Sequence, residues 1–159
     1  MEKLEKTNAL RLLDAMGLEY EARAYAKDIV NGVLVAQALS EDQDAVFKTL
    51  VTANQKGEHF VFCIPVAAEL DLKKAAKAVG AKSIELIKQK ELLPLTGYIH
   101  GGCSPIGMKK TFPTYMDESA QLFEKIFISA GRVGMQVGLN PLALAEHLGI
   151  RFIDLVKEA

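Results

Sequence analysis

The residue type that most suggests chemistry is Lys48, which interrupts the apolar stretch Val46-Phe47-Lys48-Thr49-Leu50-Val51. The β-branched residues of this stretch predict a strand, and in a strand Lys48 shares a face with Val46 and Leu50. A lysine among such neighbours must extend to solvent, find a partner or line a cleft. The alternative is an edge-strand lysine that protects the sheet against aggregation, and the stretch alone leaves both interpretations open.

A glycine-rich segment, Gly97–Lys110, is the second candidate, with the sequence GYIHGGCSPIGMKK. Its glycines allow the backbone to approach a ligand closely and to direct N–H groups at an oxyanion or a phosphate. The spacing of a P-loop is absent from the segment. The alternative is a structural loop that only needs residues with positive φ.

Two smaller patterns are weaker. Ser129 ends a predicted strand just before Gly131, where a serine could contact a ligand, although a plain hairpin turn explains the pattern equally well. His100 and Cys103 are three residues apart, which suggests a nucleophilic thiol with a nearby base. We disfavour this pair, because a loop thiol close to one histidine often occurs by chance. The histidines show no metal-ligand spacing.

The elements that must position these residues follow from caps, periodicity and turns. Predicted helices cover 8–16, 33–39, 72–79, 88–93, 117–123 and 141–148, with Pro94 ending the fourth. Predicted strands cover 20–25, 46–52, 59–66, 82–86, 112–116, 125–129 and 135–139, with the proline-containing 112–116 at an edge or a bulge. Tight turns between neighbouring strands require antiparallel pairing. We therefore predict one mixed α/β domain over residues 1–159, with a largely antiparallel, twisted, barrel-like sheet and helices packed outside.

The composition of the 159 residues is that of an ordinary globular protein, with 50% hydrophobic and 25% charged residues. Two cysteines without a repeating spacing fit a reducing compartment, and the charged start Met1–Asn8 has no apolar signal region, so we expect a cytoplasmic protein. The net charge of −1 hides an asymmetry: residues 46–110 hold ten lysines against five acidic residues. These lysines form either a face for an anionic ligand or a merely solvated surface.

Taken together, four segments resemble the YbaK-type deacylase family, relatives of the editing domain inserted in bacterial prolyl-tRNA synthetases. The matching segments are 46–50 (VFKTL), 66–80 (VAAELDLKKAAKAVG), 96–110 (TGYIHGGCSPIGMKK) and 128–134 (ISAGRVG). Their order and spacing also match, over nearly the whole chain. The resemblance implies an enzyme that hydrolyses the ester between an amino acid and the terminal adenosine of tRNA, without a cofactor or metal. Cysteine on the proline tRNA is the implied substrate.

The resemblance also implies residue roles. The essential lysine of the family falls on Lys48, and a substrate-contacting tyrosine falls on Tyr25, with Tyr20 as the less favoured register. The implied substrate contacts are Tyr25, Gly101, Gly102, Ser104 and Ser129. We expect the tRNA acceptor end to contact Lys109, Lys110, Arg132, Lys73, Lys74 and Lys77, through sequence-blind contacts to phosphate. Prolyl-tRNA synthetase is a candidate partner, and neither a membrane nor DNA is expected.

One departure from the family concerns the last helix, where an acidic residue is replaced by Ala143, and Cys103 stands where an aliphatic residue is more common. The departure at Ala143 supports an alternative from another class, a non-catalytic module of the same fold that binds tRNA or a synthetase. A deacylase for another small amino acid such as alanine is also open. A thiol hydrolase using Cys103 and His100 would lose activity on substitution of Cys103 by serine.

Overall fold

A computed structural model describes residues 6–29 and 31–158 of the chain. Its helices are α1 (Asn8–Met16), α2 (Gly32–Ala38), α3 (Leu72–Val79), α4 (Gln89–Thr96) and α5 (Pro141–Leu148). Its strands are β1 (Tyr20–Ala24), β2 (Phe47–Asn54), β3 (His59–Pro65), β4 (Ile84–Leu86), β5 (Thr114–Asp117), β6 (Ile126–Arg132), β7 (Met135–Leu139) and β8 (Arg151–Ile153). Short 3₁₀ turns cover Gln43–Ala45 and Glu118–Leu122. None of the helices in these two ranges has the length and apolar character needed to cross a membrane.

The strands form two sheets. A three-stranded antiparallel sheet has the order β1-β7-β6, and a five-stranded sheet has the order β4-β2-β3-β5-β8. The β2–β3 and β6–β7 hairpins are antiparallel as predicted, whereas β3–β5 and β5–β8 are parallel. An isolated bridge between Val46 and Phe127 joins the sheets where β2 begins. The mixed α/β domain is thus confirmed, while the barrel-like closure stays a prediction, because the described strands lie in two sheets.

Capping residues set the helix ends as predicted. Asp71 accepts hydrogen bonds from the N–H groups of Lys73 and Lys74, and Gly80 ends α3 in the left-handed conformation. Asn140 caps α5 through the N–H of Ala143, with Pro141 at the first helical position. These ends are decided by local chemistry, which is why the sequence predicts them.

Three element predictions were wrong. Helix α4 continues past Pro94 to Thr96, because a proline removes only one backbone N–H and the short helix ends instead at Gly97 in the left-handed conformation. The segment Asp117–Phe123 forms the 3₁₀ turn Glu118–Leu122 rather than an α-helix. Strand β5 is interior and pairs in regular register on both sides, so it is neither at an edge nor at a bulge. Pro113 precedes the strand, and its carbonyl still accepts from the N–H of Val61.

Strand β2 has the predicted two faces. Phe47 and Val51 join the main core, whereas Leu50 packs with Phe62 of β3 in a smaller cluster beneath α3. Lys48 alternates with Phe47 and therefore emerges on the α3 side of the sheet, next to Ile64 in the β2–β3 register. The main core is built from buried side chains of every layer, including Leu10, Leu13, Val61, Ile126, Ile128, Val137 and Leu144.

Candidate active site

The best candidate for a ligand site is a cleft of about 340 Å³ beside the bridge that joins the two sheets. Residues 46–50 of β2 form one side, and β6 and β7 contribute Ile128, Ser129 and Gln136 to the other. Helix α2 and the glycine-rich segment complete the walls. The volume falls in the range of about 300–1,000 Å³ that small-molecule sites occupy, and most of the wall is apolar with a few polar side chains.

Lys48 lies in this cleft, half-buried, at the start of β2. Burial lowers the pKa of its ammonium group, and the charge of Glu69 opposes that shift. Glu69 itself is paired with Lys157, whose Nζ lies 3.0 Å from a Glu69 carboxylate oxygen. Within residues 6–29 and 31–158, no carboxylate lies within salt-bridge distance of the Lys48 ammonium. A half-buried lysine without an ion-pair partner can stabilise a negative charge that develops on a ligand.

Three further predicted contacts meet Lys48 in the cleft: Tyr25, Gly101 and Ser129. The N–H of Tyr25, just after β1, donates to the carbonyl of Gly134 at 2.9 Å, which fixes this tyrosine against the β6–β7 turn. The Ser129 hydroxyl accepts from the N–H of Gly131 at 3.1 Å. Gly101 has a φ of +87°, a conformation that a side chain would strain. Residues far apart in sequence thus converge on one cleft.

Two predicted substrate contacts lie outside the cleft wall. The N–H of Gly102 donates to the carbonyl of Ile99 at 3.0 Å, so this N–H is already engaged. A Cβ on Gly102 would lie 3.0 Å from the backbone nitrogen of Val133, which shows that the glycine allows the loop to pack on the β6–β7 turn. Ser104 is fully buried and its hydroxyl accepts from the N–H of Ile106. Both residues shape the loop, and their positions argue against direct contact with a ligand.

The six predicted tRNA contacts also lie outside the cleft wall. Lys109, Lys110 and Arg132 are exposed on the glycine-rich segment and at the end of β6, and Lys73 and Lys77 are exposed on α3. The ammonium of Lys74 instead bonds to Asp154 at 2.9 Å and to the Val156 carbonyl at 2.7 Å. Lys74 is therefore committed to an internal contact, which weakens its case as a phosphate ligand.

Ala143, where the resemblance implies an acidic residue, is not among the described residues that line this cleft. It lies in the first turn of α5, where its N–H is held by the Asn140 cap at 2.9 Å.

His100 and Cys103 both line the cleft, so the structure does bring this pair into one site. Burial, however, raises the pKa of the Cys103 thiol to about 12. A thiol with that pKa is almost wholly protonated at neutral pH, and the protonated form is a poor nucleophile. The burial of the Cys103 thiol, which raises its pKa, therefore disfavours the thiol hydrolase.

Alkylation tests this conclusion. Burial also raises the pKa of Cys63 to about 12, and Cys63 is fully buried. We expect neither thiol of the folded protein to react with iodoacetamide at pH 8, whereas both react in guanidinium chloride, as read by mass spectrometry. Rapid labelling of Cys103 in the folded protein would contradict the raised pKa and restore the thiol nucleophile as a candidate.

Sequence reasoning missed three polar residues of the cleft, Asn31, Thr49 and Gln136. Gln136 is only 3% exposed, although it stands among the apolar residues of β7. A polar residue that interrupts a buried strand was the signal that identified Lys48, and the same signal was present at Gln136.

Comparison with known proteins identifies relatives of the chain. The family described as aminoacyl-tRNA editing domain matches residues 28–147. The chain is 44% identical over 156 residues to EbsC of Enterococcus faecalis, a candidate Cys-tRNA(Pro)/Cys-tRNA(Cys) deacylase, with 97% of this chain and 95% of EbsC covered. It is 30% identical over 142 residues to proline–tRNA ligase of Shouchella clausii, which covers 89% of this chain and 24% of the ligase.

The crystal structure of a candidate trans-editing enzyme for prolyl-tRNA synthetase has the same fold. It superposes with a TM-score of 0.82 at 25% identity, covering 94% of this chain and 97% of that one.

Proposed function

Since the chain belongs to the family of aminoacyl-tRNA editing domains, we propose that it removes cysteine from the proline tRNA as a trans-editing deacylase. The observation that carries the proposal is the cleft in which Lys48 meets Tyr25, Gly101 and Ser129. The near end-to-end likeness to EbsC supports the choice of cysteine as the amino acid.

The need for such an enzyme follows from the limits of binding selectivity. A hydrophobic pocket discriminates a small apolar difference by only about 1–3 kcal/mol. A synthetase that must accept proline therefore also charges the smaller cysteine at some rate. A second, hydrolytic site restores fidelity by destroying the wrong product.

The proposed mechanism uses the thiol of the substrate as nucleophile, since the folded protein holds its own thiols protonated. The cysteinyl sulfur bonds to its own carbonyl carbon, and the bond from that carbon to the ribose oxygen breaks. The thiol proton ends on the ribose hydroxyl, and water then opens the resulting thiolactone. The intramolecular attack has a large effective-molarity advantage. The alternative is direct attack by a water molecule held by the same groups.

The four predicted site residues that line the cleft each have a role in this scheme. The Lys48 ammonium stabilises the oxyanion that forms on the carbonyl oxygen. Gly101 has a φ of +87°, which a side chain would strain, so glycine is favoured at this position. Because glycine has no side chain, the backbone there can approach the reacting ester closely. Tyr25 and Ser129 bound the aminoacyl pocket.

The acceptor stem is proposed to contact the exposed cations Lys109, Lys110, Arg132, Lys73 and Lys77. Contacts of this kind bind phosphate without reading sequence, and their strength falls as salt rises. With a net charge of −1, the protein is expected to bind free tRNA weakly. We propose that association with prolyl-tRNA synthetase supplies selectivity for the proline tRNA.

Hydrolysis of two matched substrates tests the function and the thiol step together. Proline tRNA carrying cysteine and proline tRNA carrying alanine differ at the β-carbon by one sulfur atom. We expect the cysteinyl ester to be cleaved at least about tenfold faster, because only its thiol gains the intramolecular advantage. Loss of radiolabelled amino acid from the tRNA measures both rates.

The other outcomes are equally informative. Equal cleavage of the two esters would contradict attack by the substrate thiol and favour direct attack by a water molecule. Preference for the alanyl ester would keep editing but assign the chain to alanine. Cleavage of neither would leave the binding module.

A further inference from the structure

Gln136 lies at a point of the cleft where three strands meet. In the sheet register it stands opposite Ser129 of β6 on one side and Arg23 of β1 on the other. Directly opposed residues point to the same face of a sheet, so the Gln136 side chain shares its face with that of Ser129. Its neighbours in β7, Met135 and Val137, point the other way into the main core.

Arg23, which stands opposite Gln136 in β1, is held in place by ion pairs. The Arg23 guanidinium bonds to the Glu41 carboxylate at 2.9 Å and to Glu21 at 3.0 Å, and it stacks 4.7 Å above the Phe127 ring. The Glu41 side chain is only 1% exposed. Burial raises the pKa of Glu41, and hydrogen bonds from Arg23 and Gln136 oppose that rise. Arg23 thus holds one oxygen of the Glu41 carboxylate, and the other, Oε1, is buried without a hydrogen-bond partner among the described residues.

This arrangement orients the amide. An ionised carboxylate can only accept hydrogen bonds, so the Gln136 amide can satisfy the unpartnered Oε1 of Glu41 only through its Nε2–H group. The amide oxygen Oε1 then points elsewhere, and it has no hydrogen-bond partner among the residues that the structure describes. A buried acceptor without a donor destabilises the folded state, and a donor from a ligand would relieve that cost. Oε1 is covered by the cleft wall, but the terminal torsion of glutamine is soft, so a small rotation presents it to a ligand.

Among the described residues that line the cleft, Gln136 is the one with a buried side-chain acceptor that lacks a hydrogen-bond partner. Lys48 is itself a cation, and the Ser129 hydroxyl already accepts from Gly131. An aminoacyl ester brings an α-ammonium group next to its carbonyl, and that group needs acceptors when it leaves water. We propose that Gln136, oriented by Glu41 and Arg23, is a specificity-determining residue whose Oε1 accepts a hydrogen bond from the α-ammonium of the aminoacyl group.

The inference rests on the proposed function for its substrate. It adds a basis for selecting esters that carry an α-amino group. A site that hydrogen-bonds an amino group rejects analogues that lack it, because its acceptor is then left unpaired. The enzyme would thereby distinguish aminoacyl esters from other acyl esters of the same size.

The test pairs one substitution with one change of substrate. The probes are an acceptor-stem minihelix esterified with cysteine and the same minihelix esterified with 3-mercaptopropionate, which keeps the thiol and lacks the amino group. Gln136→Met keeps the size and removes the acceptor. We expect it to slow hydrolysis of the cysteinyl ester by about ten- to hundredfold. The change for the mercaptopropionyl ester should be less than about threefold.

Controls separate this role from a structural one. Gln121→Met, at an exposed position, should change neither rate. An equal slowing of both esters by Gln136→Met would overturn the inference, because a distorted cleft affects both substrates alike. So would an unchanged rate for the cysteinyl ester.

A binding measurement decides the case in which the wild-type protein hydrolyses neither ester and the proposed function fails. The same minihelices are then linked through a 3′-amide, and their Kd values are measured. A wild-type preference for the cysteinyl amide that disappears in Gln136→Met supports the ammonium site. The absence of a preference in the wild-type protein overturns it.

Discussion

Replacement of Lys48 by alanine is expected to slow hydrolysis of the cysteinyl ester on the proline tRNA by roughly 10²–10³-fold, the usual loss when one oxyanion-stabilising group is removed. The half-buried ammonium of Lys48 lies in the cleft, and no carboxylate of the described residues is paired with it. The positive charge of Lys48 can therefore stabilise the negative charge of the transition state, because it is not neutralised by an ion pair. Single-turnover hydrolysis of labelled Cys-tRNA(Pro) measures the loss.

A matched lysine controls for general effects of charge. Lys56 lies at the exposed turn of the same β2–β3 hairpin, and Lys56→Ala should leave the rate unchanged within about twofold. Lys48→Arg tests geometry, because the planar guanidinium keeps the charge but not the compact ammonium. A loss of less than about threefold in Lys48→Ala would remove Lys48 from the catalytic machinery.

The same lysine predicts a pH dependence. Burial lowers the pKa of Lys48 below its ordinary value, so its positive charge is present at low pH and is lost as pH rises through the lowered pKa. If the charged form is the active one, the catalysed rate falls on the alkaline side earlier than an exposed lysine would allow. Rates corrected for spontaneous ester hydrolysis, compared between wild-type and Lys48→Arg proteins, measure the shift.

The largest expected effect on stability comes from Leu144→Ala. Leu144 is fully buried in the main core, where α5 packs. Truncation removes apolar contacts and leaves a cavity, which costs about 3–5 kcal/mol in free energy of unfolding. For a protein of this size, that cost corresponds to a fall in Tm of roughly 6–20 °C. Urea unfolding and thermal melting followed by circular dichroism measure both quantities.

Leu142, two residues earlier on the same helix, provides the matched control. Its side chain is 52% exposed, so Leu142→Ala makes the same chemical change in the same element with little loss of buried surface. We expect a change below about 0.5 kcal/mol. Similar losses for the two variants would show that α5 does not present Leu144 to the core as described.

Local chemistry determined a large part of the fold. The Asp71 and Asn140 caps, the β2–β3 and β6–β7 hairpins and the alternation around Lys48 involve residues a few positions apart, and all were predicted correctly. Lys48 could be identified because a charged residue in an apolar strand is conspicuous before any contact is known. The resemblance of four separate segments to one family then predicted the aminoacyl-tRNA editing fold.

Long-range packing decided the rest. Gly101 lines the cleft while its neighbour Gly102 packs on the β6–β7 turn, and no local rule separates two adjacent glycines. Strand β5 became interior because β8 pairs with it from the end of the chain. Gln136 belongs to the cleft because register sets it opposite Ser129. The sequence by itself determined which residues can do chemistry, and tertiary structure decided which of them meet, since strand partners are chosen by packing across the whole domain and not by spacing along the chain.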